Sequence, residues 1–425
     1  MKIPYGMSNF AEMRRSGYYY ADKTGFIPTL ESEELGNRYL IYLRPRRFGK
    51  SLFISTLEHY YDLSQAPHFD ALFGGLAIHR HPTPLKNRLL VLTLDFSPVT
   101  TDRGLEHLNA SFVQVTREQV RRVAQRYTAL IPTLKGLLER LDDIQDASGM
   151  LSALFTALDE TGHQLYVLID EYDSFANELI ARGDMGTYEE AVSATGFVKA
   201  FFKAIKAGTR SGAVARLFVT GVSPIMLDDM ASGFNIASQL THSPRFDTLS
   251  GLTRLEVELA VDQFLALTPE LGSRSGLLEE LERYYNGYRF TQDTSERVFN
   301  PDMVLYYLRE LRDRRRPPTQ ILDLNIRVDY TKLRRMASPP GGSQDWHMEY
   351  LEDLLTGGMV TGALVDRFGA RAIYDQQHFL SLLYFMGMVT HAGLVEGKPA
   401  FRIPNLVIRS LHWDCLLYTS PSPRD

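Results

Sequence analysis

Arg44-Pro45-Arg46-Arg47-Phe48-Gly49-Lys50-Ser51 follows the apolar run Tyr39-Leu40-Ile41-Tyr42-Leu43 and precedes a helical pattern over residues 51–61. A strand, a tight loop ending in Gly-Lys-Ser and then a helix is the setting of a phosphate-binding loop. Backbone N–H groups and the helix N-terminus there face phosphate oxygens. In that setting Lys50 reaches the β- and γ-phosphates, and the Ser51 hydroxyl ligates Mg²⁺. Arg44 stands where the usual G-x-x-x-x-G-K-[ST] pattern has its first glycine. The tripeptide alone decides little; the flanking strand and helix carry the reading.

Two more motifs lie downstream. Residues 164–169 form an apolar strand that runs into Asp170 and Glu171. In a phosphate-loop protein the aspartate holds Mg²⁺, and the next glutamate polarises the attacking water. The alternative is that Asp170, Glu171 or Asp173 caps a helix over residues 174–181. That alternative explains the carboxylates but not the order of the two motifs. A strand over residues 215–220 ends in Thr220-Gly221-Val222-Ser223, which makes Thr220 a candidate contact for the γ-phosphate or the catalytic water.

Around these motifs, residues 89–95 read as another strand, and residues 104–158 as helix interrupted at Pro132. The strands are apolar on consecutive positions, as expected when helices cover both faces of a mainly parallel sheet. After about residue 250 the pattern turns helical, over 255–267, 277–285 and 302–312. Residues 338–343 (SPPGGS) read as a loop. Helical patterns over 349–355 and 378–388 and a hairpin over 393–403, turning near Glu396-Gly397-Lys398-Pro399, are the parts of a winged-helix module. The expected fold is therefore α/β: a P-loop NTPase (AAA-like) parallel sheet flanked by helices, with a mainly helical lid and a winged-helix-like region.

The chain has 425 residues, 46 basic and 51 acidic side chains, and a formal net charge of −5. This balance excludes a globally basic nucleic-acid binder and bulk disorder. One cysteine, Cys415, excludes an intrachain disulfide and a thiolate zinc cluster. The longest nearly uninterrupted apolar stretch, residues 379–389, is too short to span a bilayer, and residues 1–6 lack a signal-peptide core. The expectation is a cytoplasmic protein with no membrane association.

The blocks YGMSNFAEMRRSGYYYADKT at the start, RPRRFGKSL, LDFS, LIDEYD, FVTGVSPI, NGYRF (286–290) and NPDMV (300–304) resemble the bacterial AAA-ATPase-like family of P-loop proteins. The likeness runs from about Ile3 to Arg409. It accounts for Arg44, because the family carries arginine there. It implies an ATP-binding, Mg²⁺-dependent ATPase over residues 1–250, a helical lid over 251–335 and a winged-helix-like region over 336–414. It implies a nucleotide site of Arg46, Arg47, Phe48, Gly49, Lys50, Ser51 and Leu52, with metal contacts from Ser51 and Asp170. Lys50, Glu171 and Thr220 would be the catalytic set. Asp22 and Lys23 match the family's D-K-T block, whose role the residues alone do not give. Many members continue into a PD-(D/E)XK nuclease-like domain, so the chain reads as truncated. Its last residues, 415–425 (CLLYTSPSPRD), read as a non-native or disordered tail.

Of the remaining candidates, one of Arg46 and Arg47 is expected to neutralise phosphate charge. Tyr18, Tyr19 and Tyr20 suit packing of the N-terminal segment better than stacking on a base. Arg312, Arg314, Arg315 and Arg316 suit a solvated linker better than a nucleic-acid contact, since no aromatics are interleaved. The leading expectation is ATP hydrolysis coupled to motion of the lid and winged-helix region, in a protein that can form homo-oligomers. The competing ones are a nucleotide-gated switch with little turnover and a DNA-binding interaction module.

Overall fold

The computed structural model describes residues 1–36, 38–159, 161–230, 233–323 and 345–419. The expected loop at 338–343 and residues 420–425 fall outside these.

Five strands form the central sheet: β1 (Tyr39–Leu43), β2 (Leu90–Asp95), β3 (Leu165–Asp170), β4 (Val214–Gly221) and β5 (Ser238–Gln239). They are all parallel and ordered β2-β3-β4-β1-β5. Side chains alternate across a strand, so each apolar strand serves two cores. Ile41, Leu43, Leu92, Leu94, Val167, Ile169, Leu217 and Val219 face one. Leu40, Tyr42, Val91, Tyr166, Leu168 and Phe218 face the other. That double burial is why the strands read as unbroken apolar runs. The helix Lys50–Tyr61 covers the second face, while Gly104–Tyr127, Ala147–Leu158 and Phe197–Ser211 cover the first. Pro132 ends the gap before the helix Thr133–Arg140, as expected. This sheet and the helices around it bear out the α/β P-loop expectation.

The C-terminal portion also has the expected parts. The helices Arg254–Leu265, Arg274–Tyr285 and Pro301–Arg314 follow the sheet. Thr253 opens the first of these with a reciprocal capping box to Glu256. Beyond them come the helix Asp345–Gly357, β6 (Val360–Thr361), the helix Gln376–Phe385, and the hairpin β7 (Thr390–Val395) and β8 (Lys398–Arg402). The antiparallel order β6-β8-β7 completes a winged-helix arrangement. Glu396 and Gly397, both at positive φ, make the two-residue turn that suits the twist of a hairpin. A helix over Leu406–Thr419 closes the described chain, so backbone helix continues for five residues past Asp414.

In this winged helix the helix Gln376–Phe385 turns inward. Phe379 to Phe385 are all buried. Tyr384 donates to the Phe290 carbonyl at 2.7 Å. A Cβ on Gly387 would lie 2.9 Å from Cβ of Pro45, so this turn rests directly on the phosphate loop. Arg371 pairs with Glu189 and adds a second tie to the sheet domain. No helix among the described residues is long and apolar enough to cross a membrane.

Candidate functional site

The strand register assembles the site at the C-terminal edge of the sheet. Asp95 lies beside Asp170, and Leu43 beside Gly221. The loop after β1, the carboxylates after β3 and Thr220 on β4 therefore meet, and all three motifs share one edge. Asp95, from the LDFS block, joins them by register and was not singled out as a site residue; its place next to Asp170 could be read only once the pairing was known.

Gly49, at φ +87°, is the N-cap of the helix Lys50–Tyr61. Only glycine adopts that conformation without penalty. Lys50 is 5% exposed, and its ammonium donates to the carbonyls of Arg44 and Pro45, each at 2.9 Å. Burial pulls the lysine below its ordinary pKa, opposed by Glu171, Asp170 and Asp173. Burial pushes Glu171 above the ordinary carboxylate range, and Lys50 opposes that shift. Thr220 Oγ1 donates to Asp170 Oδ1 at 2.5 Å. Ser51 is half-buried in the first helical turn. A serine hydroxyl and an aspartate carboxylate are the hard oxygen donors that Mg²⁺ takes, so the donor set fits that ion.

The other predicted loop residues divide. Arg46 is half-buried and bears electrostatically on both Lys50 and Glu171. Arg47 instead leaves the loop, pairing with Asp302 at 3.3 Å. Phe48 packs edge-on against Tyr288 and Phe290, with centroids 4.8 and 5.4 Å away. Phe48 and Leu52 also line a small apolar cavity of about 70 Å³ with Tyr19, Tyr20, Lys23 and Leu252. That is well below the roughly 300–1,000 Å³ of small-ligand clefts.

Hydrogen bonds around this gap account for the D-K-T block. Lys23 donates to Thr248 O at 2.9 Å and to Glu256 at 2.7 Å. Burial lowers its pKa against the pull of Glu256. Asp22 accepts from the Thr24 amide and hydroxyl and from the Ala77 amide. The block thus holds the N-terminal segment over the loop. Tyr19 and Tyr20 pack there through hydrogen bonds to Glu256 O and Thr56.

Arg44 has the least expected role. It is 1% exposed, and its guanidinium donates to the carbonyls of Leu43 (3.0 Å), Thr241 (2.7 Å) and Phe246 (3.3 Å). It lies between the rings of Tyr42 and Phe290, 4.5 and 4.2 Å from their centroids. In sequence Arg44 is a departure from the usual loop pattern that the family resemblance accounts for without a role; in the fold it pins the loop to segments about 200 residues away in sequence. The run at 312–316 is a helix end. There Arg312 pairs with Asp313, Arg314 with Glu310 and Arg315 with Glu270.

The chain is similar to known proteins along most of its length. It is 27% identical over 431 residues to an uncharacterized protein in the vnfD 5′ region of Azotobacter chroococcum mcd 1, covering 99% of this chain and 71% of that one. Among solved structures it is similar to the Aeropyrum pernix ORC2 protein in ADPNP–ADP complexes, at 12% identity, TM-score 0.41 and 94% coverage of each chain. It is also similar to the A. pernix ORC1 protein in complex with DNA, at 12% identity, TM-score 0.32 and coverage of 93% and 91%. The fold assignment stands on strand order, not on these distant likenesses. Residues 4–231, more than half the chain, match the family described as Predicted AAA-ATPase, and the chain belongs to that AAA-ATPase-like family of nucleotide-binding P-loop proteins.

Proposed function

We propose that this chain binds ATP with Mg²⁺ at the loop 44–51 and hydrolyses it. The observation that carries this reading is the meeting of Lys50, Asp170, Glu171 and Thr220 at one sheet edge. Lys50 binds the β- and γ-phosphates. Ser51 and Asp170 hold the metal, which when bound would neutralise charge on the phosphate oxygens. Glu171, its proton affinity raised by burial, takes a proton from the attacking water. Thr220, through its bond to Asp170, keeps that carboxylate aimed, and Arg46 adds positive charge.

Residues 1–250 form the ATPase domain in this reading, 251–335 the lid and 336–414 the winged-helix region, whose motion follows turnover. DNA is the less favoured partner. Phe379 to Phe385 of the inward helix are buried, and Arg312, Arg314 and Arg315 are held in ion pairs.

Lys50→Ala and Glu171→Gln test the assignment. Lys50→Ala is expected to weaken binding of a fluorescent ATP analogue by tenfold or more (~1.4 kcal/mol). Glu171→Gln is expected to keep that binding and lower phosphate release by about 100-fold or more. Unchanged analogue affinity in Lys50→Ala refutes the site; unchanged turnover in Glu171→Gln means a different base, and a parent that binds without turnover leaves a nucleotide-gated switch.

A further inference from the structure

We infer that Asp173, assisted by Tyr172, is a positioning residue that fixes the Glu171 carboxylate by stapling its turn to the chain leaving Thr220. The inference rests on the reading of Glu171 as the water-activating group.

Glu171 sits at φ +51°, in the left-handed region that a non-glycine residue rarely adopts. Such a conformation persists only where its surroundings enforce it. The two residues that follow supply the restraint. The Tyr172 amide donates to Thr220 O at 3.1 Å, and its hydroxyl to Ser223 O at 2.5 Å. Asp173 accepts the amides of Val222 at 3.1 Å and Ser223 at 2.6 Å, and the Asn177 side-chain amide at 2.6 Å. Ser223 Oγ in turn donates to Asn177 Oδ1 at 2.8 Å.

Asp173 stands at the start of the helix Ser174–Arg182, where an aspartate normally accepts that helix's own amides, yet it makes no such cap bond. A carboxylate that is 1% exposed is costly to bury unless donors surround it. Here the two backbone donors come from the neighbouring strand's exit. Gly221 confirms how tight the joint is. A Cβ there would stand 2.4 Å from Tyr172 Cδ1 and 2.5 Å from Asp173 Oδ1. Glu171 and Thr220 thus sit on two segments held together at the residues immediately beyond them, and neither can shift without the other.

The test is Asp173→Asn in the full chain, read by single-turnover ATP hydrolysis, binding of a fluorescent ATP analogue with Mg²⁺, and thermal melting. The substitution turns one acceptor into a donor that faces the Val222 and Ser223 amides. Hydrolysis is expected to fall by about 30- to 100-fold, the scale of a small misplacement of a reacting group, with analogue affinity within about threefold. Asp173→Asn/Asn177→Asp moves the carboxylate to the other end of the pair and is expected to recover about tenfold of the lost rate, which a general loss of folding would not allow. Tyr172→Phe, the milder change, is expected to slow hydrolysis about fivefold and decides the matter if Asp173→Asn does not fold. Hydrolysis within threefold of the parent in Asp173→Asn, or parent rate in Tyr172→Phe where that variant decides, overturns the inference alone. A parent that binds the analogue without hydrolysing ATP defeats the reading of Glu171 and this inference with it.

Discussion

Replacing Arg44 with glycine would complete the usual phosphate-loop pattern, and the structure predicts that it would weaken the protein. The substitution strips three buried carbonyls of a charged donor and removes the cation from between Tyr42 and Phe290. It also leaves Asp247, 4.0 Å away, without its nearest positive charge. Burial already raises that carboxyl's pKa, and Arg44 opposes the rise. Removing one partner of a buried charged cluster costs about 3–5 kcal/mol. Each lost cation–ring contact contributes roughly 0.5–2 kcal/mol within that range of effects. Because such contributions overlap, a net loss of about 3–5 kcal/mol is expected, roughly a hundredfold to several-thousandfold in the unfolding constant. Equilibrium urea unfolding followed by far-ultraviolet circular dichroism reads this directly. Arg44→Lys keeps the charge but loses the planar fork, and should fall between parent and Arg44→Gly. A glycine variant within about 1 kcal/mol of the parent would refute the pinning role.

Two further outcomes follow from the winged-helix region. Burial pulls His412 down from an ordinary 6.5 to about 4, while its Nε2–H bonds Met388 O at 3.2 Å. The unfolded chain therefore takes up the proton first on acidification. The contribution is complete above about pH 6.5 and is lost as pH falls towards 4, on the order of 3 kcal/mol in all. Urea midpoints of parent and His412→Asn measured from pH 7 to 4.5 should converge on the acid side; parallel curves would refute this. Gly387→Ala forces a Cβ against Pro45 at φ +78°, at a cost of about 1–3 kcal/mol. It should also change ATP-analogue affinity, whereas Gly357→Ala, which meets nothing within 4 Å, should change neither; equal effects from the two would break the claimed contact.

The four longer sheet strands were legible because each is buried on both faces and written in apolar residues. β5 was not: two residues, Ser238 and Gln239, carry no pattern, and only pairing with Leu40 and Ile41 makes them a strand. The Gly-Lys-Ser loop and the Asp-Glu pair were legible because their chemistry is local. The functions of Arg44, Asp173 and the D-K-T block were not, since each depends on partners brought in by tertiary folding: Thr241 and Phe290, Val222 and Ser223, Thr248 and Glu256. In sequence Asp173 entered only as one of three carboxylates that could cap the next helix; in the fold it serves the adjacent strand. Arg46 and Arg47 stood on equal terms as candidates to neutralise phosphate charge, and the pairing of Arg47 with Asp302 on a later helix was not legible in the local pattern.

The seating of Gly387 on Pro45 makes the winged helix and the phosphate loop thermodynamic neighbours. Coupling of this kind is reciprocal. If a ligand that moves Pro45 changes the energy of the Gly387 turn, then whatever engages the winged helix and shifts that turn changes the ligand's affinity by the same factor. Under those conditions each half of the chain would register the other's occupancy through this one contact.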